Sequence, residues 1–285
     1  MAKEKRKSMF RKNLEKIARN KLAVIGFIMV MLTILVCVGA PLITQYNPQK
    51  IDYSAILQSP NATHLLGTDR LGRDVFSRIL YGGQMSIFIG VVAALVGASL
   101  GVILGGVAGY FGGKIDALLV RFSEIMLTFP SMILILSLIS FMGQGVWNLI
   151  LIFAVTGWMT PFRVIRGEFL ALREETYVEV CKSFGISDWA IAFKHILPNA
   201  ISPIIAATPM NVASYILSEA GLSYLGVGVP AQTPTWGNIL NAAKSIDVIS
   251  NYWWLWVAPG VMICIFVLGI NFLGDGLRDV LDPKQ

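Results

Sequence analysis

The sequence predicts an all-α protein that crosses a membrane several times. Only 14% of its 285 residues are charged and 55% are hydrophobic, whereas about a quarter of the residues of a soluble domain are charged. The apolar residues form long uncharged stretches, each able to span a hydrocarbon layer of about 30 Å as a helix. A disordered chain, a disulfide-stabilised secreted domain and an ordinary soluble enzyme all fit this composition poorly.

Six transmembrane helices are predicted, because the longest apolar stretch is divided by a turn-like sequence at 143–145. The predicted helices cover residues 22–44, 85–111, 115–141, 146–166, 200–225 and 254–276. The remaining segments are a basic N-terminal segment at 1–21, loops at 45–84, 167–199 and 226–253, and a tail at 277–285. The last five helices form a predicted core over residues 85–276.

The distribution of lysine and arginine predicts that both termini lie in the cytoplasm. Nine of the 23 cationic residues precede residue 22, directly before an apolar stretch of 22 residues. A cleaved signal peptide has only about 7–15 apolar residues, so this stretch is predicted to be an anchor. A basic run alone would also suit a nucleic-acid-binding tail, but a cytoplasmic flank of a membrane helix explains it better. The cations left outside are Lys50, Arg70, Arg73, Arg78 and Lys244.

The loop after the first helix is predicted to contain a short amphipathic helix within residues 64–84, on the outer surface. Asp69 precedes Arg73 by four residues, and Asp74 precedes Arg78 by the same spacing. Such pairs stabilise exposed helices.

The second predicted helix carries a glycine at every fourth position. These glycines are Gly97, Gly101, Gly105 and Gly109. A face without side chains lets another helix approach closely, which favours association in lipid. We expect this face to pack within the chain, and a seam between two subunits is the alternative.

The sequence offers no site for covalent chemistry. Its one Gly-Lys pair, Gly113-Lys114, lacks the glycine-rich run and the following Ser or Thr of a phosphate-binding loop. His64 and His195 are predicted to lie on opposite sides of the membrane, and the three cysteines have no paired spacing. We therefore predict a protein that is not an enzyme and that holds no metal and no cofactor.

Three ionisable residues fall within the predicted spans, where they are costly unless paired or hydrated. Arg121 and Glu124 are three residues apart near the inner end of the third helix, and they are predicted to form an ion pair inside the bundle close to the membrane interface, with a substrate contact as the alternative. Glu219 has no local partner in the sequence. It is predicted to face either a watery path or a cation on another helix.

The cytoplasmic loop between the fourth and fifth spans is predicted to form two short amphipathic helices. Apolar residues recur with helical spacing over 177–184, and Glu179 lies on the opposite face. Gly185 suits the position after a helix, and Ser187 suits an N-cap, so a second helix is predicted to begin there and to end before Pro198. The pair either lies on lipid headgroups or docks into a soluble partner.

This loop resembles the Glu-Ala-Ala loop of permease subunits in ABC importers, which docks into a cleft of the ATPase subunit. The resemblance assigns ATPase coupling to Glu179, Gly185, Ser187, Ile196, Leu197 and Pro198. Val180 and Cys181 replace the two alanines, and His195 stands where an aliphatic residue is common.

Further stretches resemble the second permease subunit of the dipeptide, oligopeptide and nickel importers. They are 65–83, 195–199, 218–230, 233–240 and 273–283. The resemblance implies the transmembrane domain of a type I importer in a bacterial cytoplasmic membrane, paired with a related permease. It also implies two cytoplasmic ATPases that bind ATP and Mg, and an extracytoplasmic binding protein. Glu219 and Trp236 would lie near the outer mouth of the pore, where Trp236 is either a gate or an interfacial anchor.

A stand-alone secondary transporter or channel is the rival from a different class. It would predict several ionisable residues deep in the spans and often an internal repeat, and neither is evident in the sequence. Dipeptides, longer peptides, nickel and metal chelates all fit an importer of this kind. The sequence shows no nickel-type cluster of His and Cys, which favours peptides.

Overall fold

The computed structural model describes residues 20–281, and its regular elements are helices apart from an isolated bridge between Thr68 and Asp74. Most of the predicted basic segment 1–21 and the end of the predicted tail 277–285 lie outside the described residues. The α-helices are α1 (Lys21–Val38), α2 (Ala40–Ile43), α3 (Val75–Phe111), α4 (Gly113–Thr128), α5 (Ser131–Met142), α6 (Val146–Gly157), α7 (Met159–Leu172), α8 (Thr176–Ser183), α9 (Asp188–Ala190), α10 (Leu197–Ala200), α11 (Ser202–Leu225), α12 (Trp236–Leu240), α13 (Ile246–Asn251) and α14 (Val257–Leu281). A π-helix (Ile191–Ile196) joins α9 to α10, and short 3-10 turns occupy Tyr53–Ala55, Asn241–Lys244 and Trp253–Leu255.

Four helical segments are long and apolar enough to cross a membrane, and two bent pairs raise the number to as many as six. The four segments are Lys21–Val38, Val75–Phe111, Val146–Leu172 and Trp253–Val280. The bent pairs are α4 with α5, at 95°, and Asp188–Ala200 with α11, at 63°. The predicted span 115–141 is therefore not one straight helix. Its break falls at Phe129, which is extended as residues before proline usually are.

The helix α3 begins at Val75, so the prediction of a separate amphipathic helix within 64–84 is wrong. Residues 64–74 form a loop, and α3 starts where the Asp74 carboxylate accepts a hydrogen bond from the Ser77 amide at 2.7 Å. Asp74 thus acts as an N-cap and does not pair with Arg78. The predicted pair of Asp69 and Arg73 does form, at 2.7 Å, but within the loop.

The glycine row of α3 packs against α7 of the same chain, as predicted. A methyl group added at Gly105 would lie 2.6 Å from the carbonyl oxygen of Phe162. One added at Gly109 would lie 2.6 Å from the Cβ atom of Phe169. The two backbones therefore approach more closely than any larger residue on this face of α3 would allow.

The helix α1 packs antiparallel against α14 through a second set of small residues. A methyl group added at Gly26 would lie 2.5 Å from the carbonyl oxygen of Gly269, and one at Gly276 would meet the Cβ atom of Ala23. The Asn20 amide donates to the Asp279 carboxylate at 3.0 Å. This seam fixes the first helix to the last.

The helices place two groups of loops at opposite ends of the bundle. The end of α1, the starts of α3 and α14 and the end of α11 meet near Trp236, and we call this the Trp236 end. The end of α3, the end of α7 and residues 173–200 meet at the other end, which we call the Gly185 end. Each end contains one candidate site.

We expect Gly105→Ala to lower the melting temperature of the detergent-purified protein, because the added methyl group would meet a backbone oxygen. Overpacking of this kind costs about 1–3 kcal/mol. Gly167→Ala on α7 is the matched control, since nothing lies within 4 Å of an added methyl group there. Thermal unfolding followed by size-exclusion chromatography measures both, and equal melting temperatures would contradict a close α3–α7 contact.

Candidate functional site

The first candidate site is a compact helical unit at the Gly185 end, residues 176–200, which we call the knob. Its first helix, α8, ends in a turn at Gly185, where φ is +72°. The Ile186 amide donates to the Cys181 carbonyl at 3.2 Å and the Gly185 amide donates to the Lys182 carbonyl at 2.9 Å. These bonds are those of a glycine-terminated helix, and they confirm the predicted turn.

The second helix of the knob starts at Asp188 after Ser187, as predicted, although the Ser187 side chain makes no capping hydrogen bond. It does not end before Pro198, so that prediction is wrong. The π-helical turn lets the Leu197 amide reach the Ala192 carbonyl, five residues back, and the helix continues past the proline to Ala200. A proline disrupts the regular α-helical ladder, and the wider turn accommodates it.

One side of the knob is buried and the other is apolar and exposed. Val178, Ile191 and Ile196 are buried in a cluster against α3 and α7. Phe184 is 81% exposed and Trp189 is 59% exposed. The predicted apolar face of α8 is therefore divided, because only part of it packs onto the protein. Of the other predicted coupling residues, Glu179, Ser187 and Pro198 are exposed and Leu197 is half-buried.

The knob is attached to the end of α3. The Tyr110 hydroxyl donates to the Asp188 carboxylate at 2.7 Å, and the rings of Phe111 and Trp189 lie 5.2 Å apart. The Arg173 guanidinium donates to the Gly109 carbonyl at 3.2 Å, just ahead of the knob. The knob therefore contacts α3 directly through a hydrogen bond and an aromatic pair.

The second candidate site surrounds Glu219 at the Trp236 end, and this side chain is fully buried. Its carboxylate accepts hydrogen bonds from the Ser86 hydroxyl at 3.1 Å and the Ser223 hydroxyl at 2.7 Å. The Trp236 amide donates to the Ser86 hydroxyl at 3.1 Å. The carboxylate therefore meets hydroxyl groups, and no cationic side chain of residues 20–281 binds it. This cluster joins α3, α11 and α12.

Trp236 is a core residue in this structure. Its side chain is fully buried, and its indole nitrogen donates to the Ile79 carbonyl at 3.0 Å. Its ring lies 6.0 Å from that of Phe266. A side chain without exposed surface does not act as an interfacial anchor, so that alternative is wrong. Its role as a gate stays a prediction.

The predicted pair of Arg121 and Glu124 forms, with 3.1 Å between the guanidinium and the carboxylate. It does not lie inside the bundle, because the two side chains are 80% and 44% exposed. Ser123 is the one buried residue of α4. The helix α4 therefore contacts the rest of its chain along only a narrow edge, which the sequence pattern did not predict.

Sequence reasoning missed two polar contacts within the described chain. His64 and Asp74 are both buried, and the imidazole Nδ1 lies 2.9 Å from the Asp74 carboxylate. The spacing of Asp74 and Ser77 is that of a helix N-cap and was available in the sequence. The ion pair of Arg166 with Asp116 joins α7 to α4 across 50 positions, and no local pattern signals such a contact.

Within residues 20–281 no group of three or more His, Cys, Asp or Glu side chains could hold a metal ion.

The described residues define a helical membrane protein with an exposed apolar knob at one end and a buried polar cluster at the other. The chain belongs to the family of inner membrane components of binding-protein-dependent transport systems, which residues 101–285 match. Residues 8–60 match the N-terminal transmembrane domain of oligopeptide transport permease C.

Curated relatives confirm the resemblance to peptide permeases. The chain is 38% identical to the oligopeptide transport system permease protein OppC of Bacillus subtilis, over 93% of this chain and 86% of that protein. It is 38% identical to the dipeptide transport system permease protein DppC of Alkalihalophilus pseudofirmus, over 98% and 91%. It is also 38% identical to the glutathione transport system permease protein GsiD of Pectobacterium atrosepticum, over 93% and 88%.

We expect Asp74→Ala to destabilise the protein by roughly 2–4 kcal/mol, because it removes a helix cap and leaves the buried His64 imidazole without its partner. Asp52→Ala is the matched control. Asp52 also caps a helical turn, through the Ser54 amide at 3.0 Å, but it is exposed. Thermal unfolding in detergent compares the two variants, and equal losses would show that the buried pair with His64 adds nothing.

Proposed function

We propose that this chain is one of two transmembrane subunits of an ATP-driven importer and forms half of the translocation path for peptides. The family match over residues 101–285, which contains the whole knob, carries the proposal. The relatives named for oligopeptide, dipeptide and glutathione transport support a peptide as cargo. In this proposal a related permease supplies the other half of the path.

The proposed topology has six spans in a bacterial cytoplasmic membrane, with both termini in the cytoplasm. The bent pair of α4 and α5 then counts as one span, and α11 is another. The cation-rich N-terminal segment and the cations around the knob support this orientation through the positive-inside rule. The knob then faces the cytoplasm, and the Trp236 end faces the extracytoplasmic binding protein that delivers the solute.

The knob is proposed to couple this chain to cytoplasmic ATPase subunits, which bind ATP and Mg. Its exposed Phe184 and Trp189 suit an apolar groove on a partner. The hydrogen bond of Tyr110 to Asp188 supports transmission of a rigid-body motion to α3. Gly185 supplies the turn, Glu179 a polar contact, and the remaining coupling residues continue the helix towards α11. Hydrolysis belongs to the partners.

The path is proposed to run along the uncovered face of α11. That face contains Ser214, Ser218 and Gly221, which are exposed or half-buried, beside the exposed Leu217. The uncovered face of α1 consists instead of large apolar residues, among them Leu32 and Leu35. Polar side chains of membrane helices face water or protein, and large apolar ones suit lipid. The contrast within one chain supports a hydrated surface along α11.

We expect Gly185→Val to reduce uptake of a labelled peptide at least tenfold without loss of membrane insertion. A β-branched residue is strained at a φ of +72°, and no atom lies within 4 Å of an added methyl group, so the effect acts through the backbone of the knob. Gly185→Asn is the control, since asparagine tolerates positive φ. Uptake in cells that express the complete transporter measures both, and full uptake by the valine variant would refute the coupling role.

We expect a cysteine introduced by Ser218→Cys to react with a membrane-impermeant thiol reagent at least tenfold faster than one introduced by Leu32→Cys. The background protein has Cys37, Cys181 and Cys264 replaced. Ser218 lies on the proposed hydrated face, whereas Leu32 lies on an apolar face. Labelling of the assembled transporter in vesicles gives the rates, and equally slow labelling of both would contradict a path along α11.

A further inference from the structure

The helices α1 and α3 form the walls of an apolar groove, which we call the α1–α3 groove. It is open along one side and has a volume of about 500 Å³. The residues that line it include Ile34, Val38, Ile87, Phe88 and Val91. Gln84 also lines the groove, and its amide donates to the Cys37 carbonyl at 2.6 Å. This hydrogen bond holds the two walls together.

The groove is too narrow to hold another helix. It extends from Gln84 to Val92, which is about 12 Å along α3. Its volume then corresponds to a mean width of about 7 Å, whereas a helix with its side chains is about 10–12 Å wide. A flexible chain of methylene groups fits a space of this width.

The walls of the groove consist of residues suited to hydrocarbon. Residues 22–49 and 79–113, which include both walls, contain no charged residue. Val38 is 64% exposed, and it belongs both to the groove and to the uncovered apolar face of α1. Apolar cavities stay dry, and an empty one loses the dispersion contacts of its walls. A lipid acyl chain that enters from the uncovered face supplies those contacts.

A second, more polar cavity of about 290 Å³ continues from the groove, and we call it the Tyr46 chamber. Pro41 lines the groove and Ile43 lines the chamber, so the two are adjacent along the chain. On α3, Phe76 lines the chamber and Gln84 lines the groove, which places them about 12 Å apart along the helix. A polar cavity followed by an apolar groove matches the headgroup and the chain of a phospholipid.

The chamber presents acceptors for a cationic headgroup. Oxygen atoms come from the side chains of Gln45, Tyr46, Thr63 and Asp74, and no lysine or arginine of residues 20–281 lines it. The Tyr46 ring, which lies 4.9 Å from that of His64, adds an aromatic surface. Ammonium groups bind carboxylates and aromatic faces, whereas an anionic headgroup needs a cation. The lining therefore favours an ammonium-bearing headgroup.

We propose that the α1–α3 groove and the Tyr46 chamber together bind one molecule of phosphatidylethanolamine. One acyl chain fills the groove, and the ammonium group lies in the chamber. The site is separate from the knob and from the uncovered face of α11. It requires only that α1 and α3 cross a membrane, so it is independent of the proposed function.

Lipid retention by the full transporter tests the proposal. The transporter is reconstituted in vesicles of equal amounts of phosphatidylethanolamine and phosphatidylglycerol, extracted in mild detergent, and its bound lipids are counted by native mass spectrometry. We expect Val38→Trp, and Ile87→Trp from the opposite wall, to lower retained phosphatidylethanolamine at least tenfold. Leu35→Trp is the matched control, because Leu35 is 62% exposed, close to the 64% of Val38, and does not line the groove.

Retention by both groove variants, or an equal loss in Leu35→Trp, would overturn the proposal. Monodisperse elution of all three variants shows that they are folded. If the second transmembrane subunit and the ATPase do not copurify, the proposed function fails, and the same lipid count on this chain alone still tests the site.

Headgroup selectivity provides a second measurement. We expect the unaltered protein to retain phosphatidylethanolamine in preference to phosphatidylglycerol. Tyr46→Ala should lower this preference about threefold, as expected for the loss of a cation–π contact at an exposed site, and Tyr46→Phe should keep it. Equal retention of the two lipids by the unaltered protein would overturn the headgroup assignment.

Photo-crosslinking identifies what occupies the groove in native membranes. Benzoylphenylalanine replaces Val38, and we expect its main adduct to be with phospholipid. A main adduct with another subunit or with a second copy of this chain would show that protein covers the groove, and the proposal would be wrong.

Discussion

The close approach of α3 and α7 through a row of glycines is the contact on which the rest of the bundle depends. Helices in lipid gain little from burying apolar surface, so backbone proximity and van der Waals contact hold them together. The 37 residues of α3 extend over about 55 Å. Ser86 near one end belongs to the Glu219 cluster, and Tyr110 at the other end binds the knob. One helix therefore connects both candidate sites.

Buried polar groups hold together the Trp236 end of the bundle. The Glu219 carboxylate receives two hydroxyl donors, and the Asp74 carboxylate receives the Ser77 amide and lies beside the His64 imidazole. Such groups are tolerated in a membrane protein only when their hydrogen bonds are satisfied. The Glu219 cluster joins α3 to α11 across 133 positions, and the Asp74 cluster fixes the preceding loop to the start of α3.

Much of the fold follows from local properties of the sequence. Three features could be predicted because each leaves a local signature in the sequence. The apolar stretches have the length of a membrane helix, the glycine row of α3 lacks side chains, and glycine at position 185 suits the positive φ of a turn. The family resemblance was likewise carried by short contiguous stretches. The start of α3 at Val75 was not predicted, because the four-residue spacing of Asp69 with Arg73 and of Asp74 with Arg78 is also that of a helix. In the structure Asp74 caps α3, so the residues before it are not helical.

Most of the errors about the sites concern contacts between distant residues. The hydroxyl groups around Glu219 come from α3 and α11, and the exposure of Arg121 depends on how little of α4 the chain covers. Ser86 lies 133 positions from Glu219, and no local pattern encodes that contact or the exposure of Arg121. Ser223 is four residues from Glu219 on the same helix, and this local partner was overlooked.

The widened turn ahead of Pro198 has a geometric consequence for the knob. A π-helical turn holds an additional residue, and each residue of an α-helix advances the direction of its side chain by about 100°. A helical wheel drawn continuously from Asp188 to Ala200 is therefore out of phase on the two sides of the turn. The direction in which Trp189 points relative to α11 therefore depends on the additional residue of the π-helical turn. A single deletion within Ile191–Ile196 would turn the exposed ring towards another side while leaving its chemistry unchanged.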